Sequence, residues 1–220
     1  MDTPFPTWEL PSVAVAGSAQ RFPVRHIYCV GRNYAEHAKE MGGDAAKEPP
    51  FFFTKPADAV VPVVPPAVGR VHYPLASKNY QHEIELVVAI GEGGSIFGFA
   101  VGVDLTRRDL QNGFKAKGQP WDAAKGFDAS APISAIVPTT GVIPQGRIVL
   151  TVNGETRQEG EVADMIWSVE EILVEAGRLW KLEAGDLIFT GTPEGVGPLA
   201  RGDRVEGSVE GVGSLSFRII

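Results

Sequence analysis

Hydrophobic and polar positions along this chain alternate in short runs, and glycine or proline cuts the runs off every few residues. That punctuation predicts a β-dominated fold with few helices. Val13-Ala14-Val15 reads as a short strand, and residues 24–30 as a longer one that ends in a turn at Gly31. Residues 34–41 read as a short helix stopped by Gly42-Gly43. Phe51-Phe52-Phe53 reads as a buried strand ending at Lys55-Pro56, and the prolines of residues 60–66 belong at a sheet edge or in a loop.

The pattern sharpens after Tyr80. Residues 83–90 form a strand headed by two acids, and residues 97–103 form another. A helix is expected from about Leu105, with Thr106 and Asp109 as its capping pair. Asn153-Gly154 between two alternating runs is a strong hairpin signal. Ser168 and Glu171 make a capping box for a helix whose Ile172, Leu173, Ala176, Leu179 and Trp180 recur at helical spacing and should pack on the core. Residues 187–189 read as a strand leading into Thr190-Gly191-Thr192-Pro193. The last stretch, 204–220, alternates as a hairpin with Val205, Val209, Leu215, Phe217 and Ile219 on one side. The expected organisation is an N-terminal extension, 1–23, packed on the core, and a single domain over 24–220.

Composition narrows the classes. A chain of 220 residues with 44% hydrophobic content can bury a sizeable core without disulfides or a structural metal. Twenty basic residues against 27 acidic ones give a formal net charge of −7. The densest basic stretch, Lys115, Lys117 and Lys125, is interrupted by Asp122 and Asp128, so no nucleic-acid-binding face is built. No apolar run approaches the roughly 20 residues of a membrane span. Met1-Asp2-Thr3-Pro4 lacks the pattern of a signal peptide. The single cysteine, Cys29, lies in an apolar run and reads as a buried, inert thiol. Its lack of a partner fits a reducing compartment, so a cytoplasmic protein is expected.

Glu83 and Glu85 are two apart on a strand, so their side chains share one face, with Cα atoms about 6.5–7 Å apart. Val87 and Ala89 continue that face, and His82, Ile84 and Leu86 take the other. Two acids heading an apolar strand repel each other unless something positive lies between them. Asp104, at the junction of the next strand and the expected helix, adds a third carboxylate. Three carboxylates with water suit Mg²⁺ or Mn²⁺. Zinc is disfavoured, since no His or Cys lies at ligand spacing near them. Lys125 or Arg108 can balance the remaining charge. His37 and Glu40 are three apart on the short helix, so the acid can orient the imidazole as a general base. Glycines on both sides would let that helix move as a lid. The 191–197 loop lacks the Lys-Ser/Thr ending of a phosphate loop, which argues against nucleotide binding. No Gly-x-Ser-x-Gly elbow and no reactive-cysteine setting appear, which disfavours a covalent mechanism.

Several motifs follow in one order: Gly31-Arg32-Asn33-Tyr34-Ala35-Glu36-His37, Phe53-Thr54-Lys55-Pro56, His82-Glu83-Ile84-Glu85, Asp104-Leu105-Thr106-Arg107-Arg108, Lys125-Gly126-Phe127-Asp128 and Thr190-Gly191-Thr192-Pro193-Glu194-Gly195. From about Phe22 to the C-terminus the chain resembles the fumarylacetoacetate hydrolase family, and residues 25–61 are most similar to its fumarylpyruvate hydrolases. The resemblance implies a mixed β-rich (α+β) fold, a β-roll with few peripheral helices, usually a homodimer, with Mg²⁺ or Mn²⁺ at the site. It implies Glu83, Glu85 and Asp104 as metal ligands, His37 and Glu40 as a water-activating lid dyad, and Lys125 as the lysine facing substrate. Arg108, Gln111 and Thr192 fall at substrate-contacting positions. Arg32, in the glycine-turn motif, or Arg108 would meet a distal carboxylate. The implied activity is hydrolysis of the C–C bond of an acylpyruvate, a small 2-oxo acid, with fumarylpyruvate giving fumarate and pyruvate. Oxaloacetate decarboxylation or keto–enol tautomerisation at the same metal site is the alternative. A non-catalytic binding protein is a third reading, and the full set of site residues argues against it. One departure is clear: residues 91–96 are shorter than the usual family stretch between the two ligand-bearing strands.

Overall fold

The computed structural model describes residues 3–40, 42 and 49–220. Its centre is an eight-stranded sheet, curled into a half-barrel. The order is Phe51–Lys55, Ile27–Gly31, Leu187–Phe189, Ile84–Ile90, Ile96–Val103, Ala131–Ile133 and Val60–Pro62, with Val137–Pro138 also pairing to Ile96–Val103. A five-stranded sheet runs Glu155–Glu161, Arg147–Val152, Arg204–Val209, Gly213–Ile219 and Gly69–Val71. A small sheet joins Thr106–Arg107, Tyr80–His82 and Gly197–Pro198 at the site, and Ser12–Ala14 pairs with Arg21–Pro23. The helices are short, and the β-rich fold class expected from the sequence is the one observed.

Strand alternation explains why Ile84–Ile90 is buried along its whole length. Ile84, Leu86, Val88 and Ile90 join the core shared with Ile148, Leu150, Val205 and Phe217 of the five-stranded sheet. Val87 and Ala89 face the other way, onto Val13, Phe22, Ile27, Cys29 and Phe189. The predicted division of faces holds. Glu85 continues the second face, so the carboxylate sits at the end of an apolar wall. Cys29 is fully buried, as expected, and burial pushes its thiol pKa well up.

The hairpin turn at Asn153-Gly154 has φ of 53° and 83°, the left-handed pair that a two-residue connection demands. The capping box forms: Ser168 Oγ accepts from Glu171 N, and Ser168 N donates to Glu171 Oε2. Val60–Pro62 takes the sheet edge, where prolines cost no ladder bond. The short 91–96 segment closes as a tight turn, with Gly91 N donating to Ser95 O.

Four local expectations need correction. The helix after Asp104 starts at Arg108, because Thr106–Arg107 instead pairs with Tyr80 and Gln81. Thr106 is therefore no cap, and Asp109 accepts from Ser77 Oγ and Lys78 N, fastening a neighbouring turn. The strand expected from residue 24 begins at Ile27. Phe51, Phe52 and Phe53 are only half-buried, since they stack with Trp121 and Trp180 along a cleft. Leu179 is exposed, while Ile172 and Ala176 carry the buried face of helix Val169–Leu179. The expected helix end at Met41 and Gly43 lies outside the described residues.

Candidate functional site

Sheet register assembles the three acids. Glu85 pairs with Gly102 and Ile84 with Val103, which brings Asp104 beside Glu83, and Asp104 N donates to Glu83 O at 2.7 Å. The three are all but completely buried, and one oxygen from each lies within 4.8 Å of the others. A face shared by two residues of one strand is thus completed by the end of its neighbour.

Three buried cations surround them. Lys125, closing the one-turn helix Asp122–Lys125, donates from Nζ to Glu83 Oε2 at 2.7 Å, Asp104 Oδ2 at 2.6 Å and Thr106 Oγ1 at 2.7 Å. Arg108 donates to Glu83 Oε1, to Gln111 Oε1 and, at 2.7 Å, to Gln81 Oε1. Lys55 donates to the carbonyls of Leu105 and Lys125. Its Nζ also lies 2.8 Å from Asp104 Oδ1, but off the hydrogen-bonding direction, so that oxygen has no hydrogen bond. Burial favours the neutral form of Glu83, yet Lys125 and Arg108 outweigh it and hold the carboxyl well below its ordinary range. Burial acts on Lys125 in the same sense, and Asp104 and Glu83 outweigh it, raising the ammonium pKa. Glu85 differs. Burial, then the charges of Asp104 and Glu83, push its pKa well up, and the Gly191 N–H at 2.7 Å offsets only part. That N–H reaches Glu85 because Gly191 turns at φ +100°, tight against Asn33.

The residues fit a divalent cation. The donors are hard oxygens, Asp104 Oδ1 lacks a hydrogen bond, and Glu85 holds a carboxylate that burial disfavours. The triad can bind such an ion.

The other predicted residues converge on the same cavity. His37, Arg32, Arg108, Gln111, Lys125 and Thr192 line it together with Glu83 and Glu85. Asp104 stands behind Lys125, and Glu40 behind His37. His37 is 5% exposed on helix Ala35–Glu40, and its Nδ1 donates to Glu40 Oε2 at 3.2 Å. That bond leaves Nε2 as the proton-accepting atom. Asn33 anchors the root of this helix: its Nδ2 donates to Trp167 O at 3.0 Å and Thr190 O at 2.8 Å, and its Oδ1 accepts from Trp167 N at 2.8 Å. Arg32 Cζ lies 5.8 Å from the Phe51 ring centre, and Phe53 and Trp121 wall the cavity with apolar surface.

Four residues carry parts of this arrangement to which the sequence alone assigns no role: Lys55, Asn33, Trp121 and Gln158, whose Nε2 donates to Thr192 Oγ1 at 2.8 Å. Lys55 had one usable signal, a lysine ending an aromatic strand. Gln158 had none, since it is the single buried position of a polar strand.

Residues 26–220 match the family described as fumarylacetoacetate (FAA) hydrolase C-terminal. A mitochondrial oxaloacetate tautomerase of Mus musculus is 41% identical over 207 residues, covering 89% of this chain and 91% of that protein. A fumarylpyruvate hydrolase of Ralstonia sp is 42% identical over 187 residues, covering 80% and 95%. The crystal structure of fumarylpyruvate hydrolase from Pseudomonas aeruginosa in complex with Mn²⁺ and pyruvate superposes with a TM-score of 0.96 at 48% identity, covering 100% of this chain and 99% of that one. With fold, match length and acidic triad in agreement, the chain belongs to the fumarylacetoacetate hydrolase family.

Proposed function

We propose that this protein hydrolyses the C–C bond of an acylpyruvate, with fumarylpyruvate as substrate and fumarate and pyruvate as products. The observation that carries the reading is that His37, backed by Glu40, lines the same cavity as Glu83, Glu85 and Lys125, with Asp104 directly behind Lys125. A divalent ion on Glu83, Glu85 and Asp104 would supply Lewis-acid stabilisation of negative charge on the 2-oxo acid oxygens.

The chain's own residues do the rest. Glu40 holds the His37 ring, and Nε2 takes a proton from water as the water oxygen bonds to the distal acyl carbon. The C–C bond then breaks, and its electron pair leaves as the enolate of pyruvate. The imidazolium returns the proton, so that atoms balance as one carboxylic acid and one 2-oxo acid. Lys125 is the cation placed to stabilise the enolate as its charge develops. Phe53 and Trp121 offer apolar surface to the acyl chain. Arg108 is committed to Glu83, so the distal carboxylate of fumarylpyruvate falls to Arg32.

Oxaloacetate tautomerisation is the second reading, favoured by the tautomerase relatives. A product assay with Mn²⁺ separates the two. Native protein and His37→Ala are given fumarylpyruvate, acetylpyruvate and oxaloacetate. The expected result is fastest release of pyruvate from fumarylpyruvate, lowered about 10²–10⁴-fold in the variant. Oxaloacetate turnover ahead of acylpyruvate cleavage in the native protein overturns the hydrolase reading.

A further inference from the structure

Thr192 faces the cavity and is 2% exposed, and its hydroxyl can in principle offer a ligand either a proton or a lone pair. Which one it offers is decided by Gln158, a buried residue from the five-stranded sheet. The Gln158 amide makes four hydrogen bonds. Its Oε1 accepts from Ile84 N at 3.1 Å and from His82 Nδ1 at 2.8 Å. Its Nε2 donates to Pro193 O at 2.8 Å and to Thr192 Oγ1 at 2.8 Å. A backbone N–H can only donate and a backbone carbonyl can only accept, so Ile84 and Pro193 fix which end of the amide is oxygen. Both Nε2 protons are then spent, one of them on Thr192.

Thr192 Oγ1 therefore accepts from Gln158 and must send its own proton elsewhere. It donates to no group among the described residues. The remaining direction is the cavity, where that proton suits an anionic oxygen. We propose that Gln158 is a positioning residue, which holds the Thr192 hydroxyl as a hydrogen-bond donor to the carboxylate of a bound 2-oxo acid. The inference rests on the proposed reading of the cavity as a 2-oxo acid site. It adds that part of the preference for an acid is set by an amide that lies behind Thr192 and outside the cavity lining.

The decisive variant is Gln158→Glu. One of its oxygens still accepts from Ile84 N, and the other replaces the amide donor with an acceptor, which draws the Thr192 proton away from the cavity. Dissociation constants for pyruvate and for its neutral amide, pyruvamide, are measured by calorimetry with Mn²⁺ present. Thr192→Val is expected to weaken pyruvate about tenfold, the scale of a hydrogen bond to a charged acceptor. Gln158→Glu should weaken pyruvate by a similar factor and pyruvamide much less. Added to Thr192→Val, it should change pyruvate binding by no more than about twofold, as expected of two changes that remove one interaction. Equal loss of both ligands, or an undiminished loss in the valine background, overturns the proposal, since each would report loosening or the charge of the new carboxylate. If Gln158→Glu does not fold, Gln158→Met is compared in the same two backgrounds: it removes the donor without adding an acceptor, so a smaller loss of pyruvate than in Thr192→Val is expected, with the same overturning results. A native protein that binds no pyruvate sinks this inference together with the cavity reading. Pyruvate binding that is indifferent to Thr192→Val sinks this inference alone.

Discussion

Replacing Lys125 by Met separates two roles that coincide in the native protein. The ammonium bridges Glu83 and Asp104 at 2.7 and 2.6 Å, buried among groups that water does not reach. Glu83 and Asp104 then face three cations, Lys55, Arg108 and Lys125. Removing one partner of such a buried pair costs about 3–5 kcal/mol, because the carboxylates lose their compensation. The same ammonium opposes an incoming metal ion. Two unit charges 4 Å apart repel by about 4 kcal/mol at an effective dielectric of 20, and a divalent ion doubles that. If only about 1.4 kcal/mol survives reorganisation, the dissociation constant changes tenfold. Lys125→Met should therefore lower the Tm of metal-free protein, tighten Mn²⁺ binding at least tenfold by calorimetry, and abolish turnover. Added Mn²⁺ should recover much of the lost Tm, since a ligand of the native state stabilises it in proportion to the logarithm of its saturation. Mn²⁺ binding that is weaker in the variant would refute the charge argument and make Lys125 part of the metal's support instead.

Other outcomes follow from neighbouring groups. Glu85→Gln should weaken Mn²⁺ at least tenfold and raise the Tm of the metal-free protein, because burial and two like charges disfavour that carboxylate; calorimetry and thermal melts read both. Arg32→Met should cut the kcat/KM preference for fumarylpyruvate over acetylpyruvate by about tenfold, the scale of one charge-assisted hydrogen bond, with Mn²⁺ affinity unchanged. Gly191→Ala should destabilise the fold by about 1–3 kcal/mol in denaturant titration, since the turn needs φ +100° and an added Cβ would sit 2.6 Å from Asn33 Cβ.

The legible parts of this structure share a cause. The Glu83–Glu85 face and the His37–Glu40 pair are set by local periodicity, two residues on a strand and three on a helix, and both were readable. The capping box and the Asn153-Gly154 turn are local in the same way. What failed was decided at a distance. Thr106 reads as a helix cap until Tyr80 and Gln81 arrive from another part of the chain and take its backbone into a sheet. The three phenylalanines read as core because nothing local shows that Trp121 and Trp180 will stand across a cleft from them. Lys55 and Gln158 act on the site from behind, through groups 70 and 34 residues away in sequence. The family resemblance carried the roles of Lys125 and Thr192, which no spacing rule singles out.

The register that joins Ile84–Ile90 to Ile96–Val103 has a consequence for how the protein assembles over time. All three acids belong to one antiparallel hairpin and its flanks, within 22 residues of chain. Arg32, His37 and Thr192 are brought to it over a much longer span: Leu187–Phe189 pairs in parallel with Ile27–Gly31, closing about 160 residues. Non-local parallel pairing is slow to form, whereas a hairpin closes early. In refolding experiments the capacity to hold a metal ion should therefore return before the capacity to turn over substrate. The oldest event in the life of each molecule would be the making of its ion site, with the catalytic apparatus gathered around it afterwards.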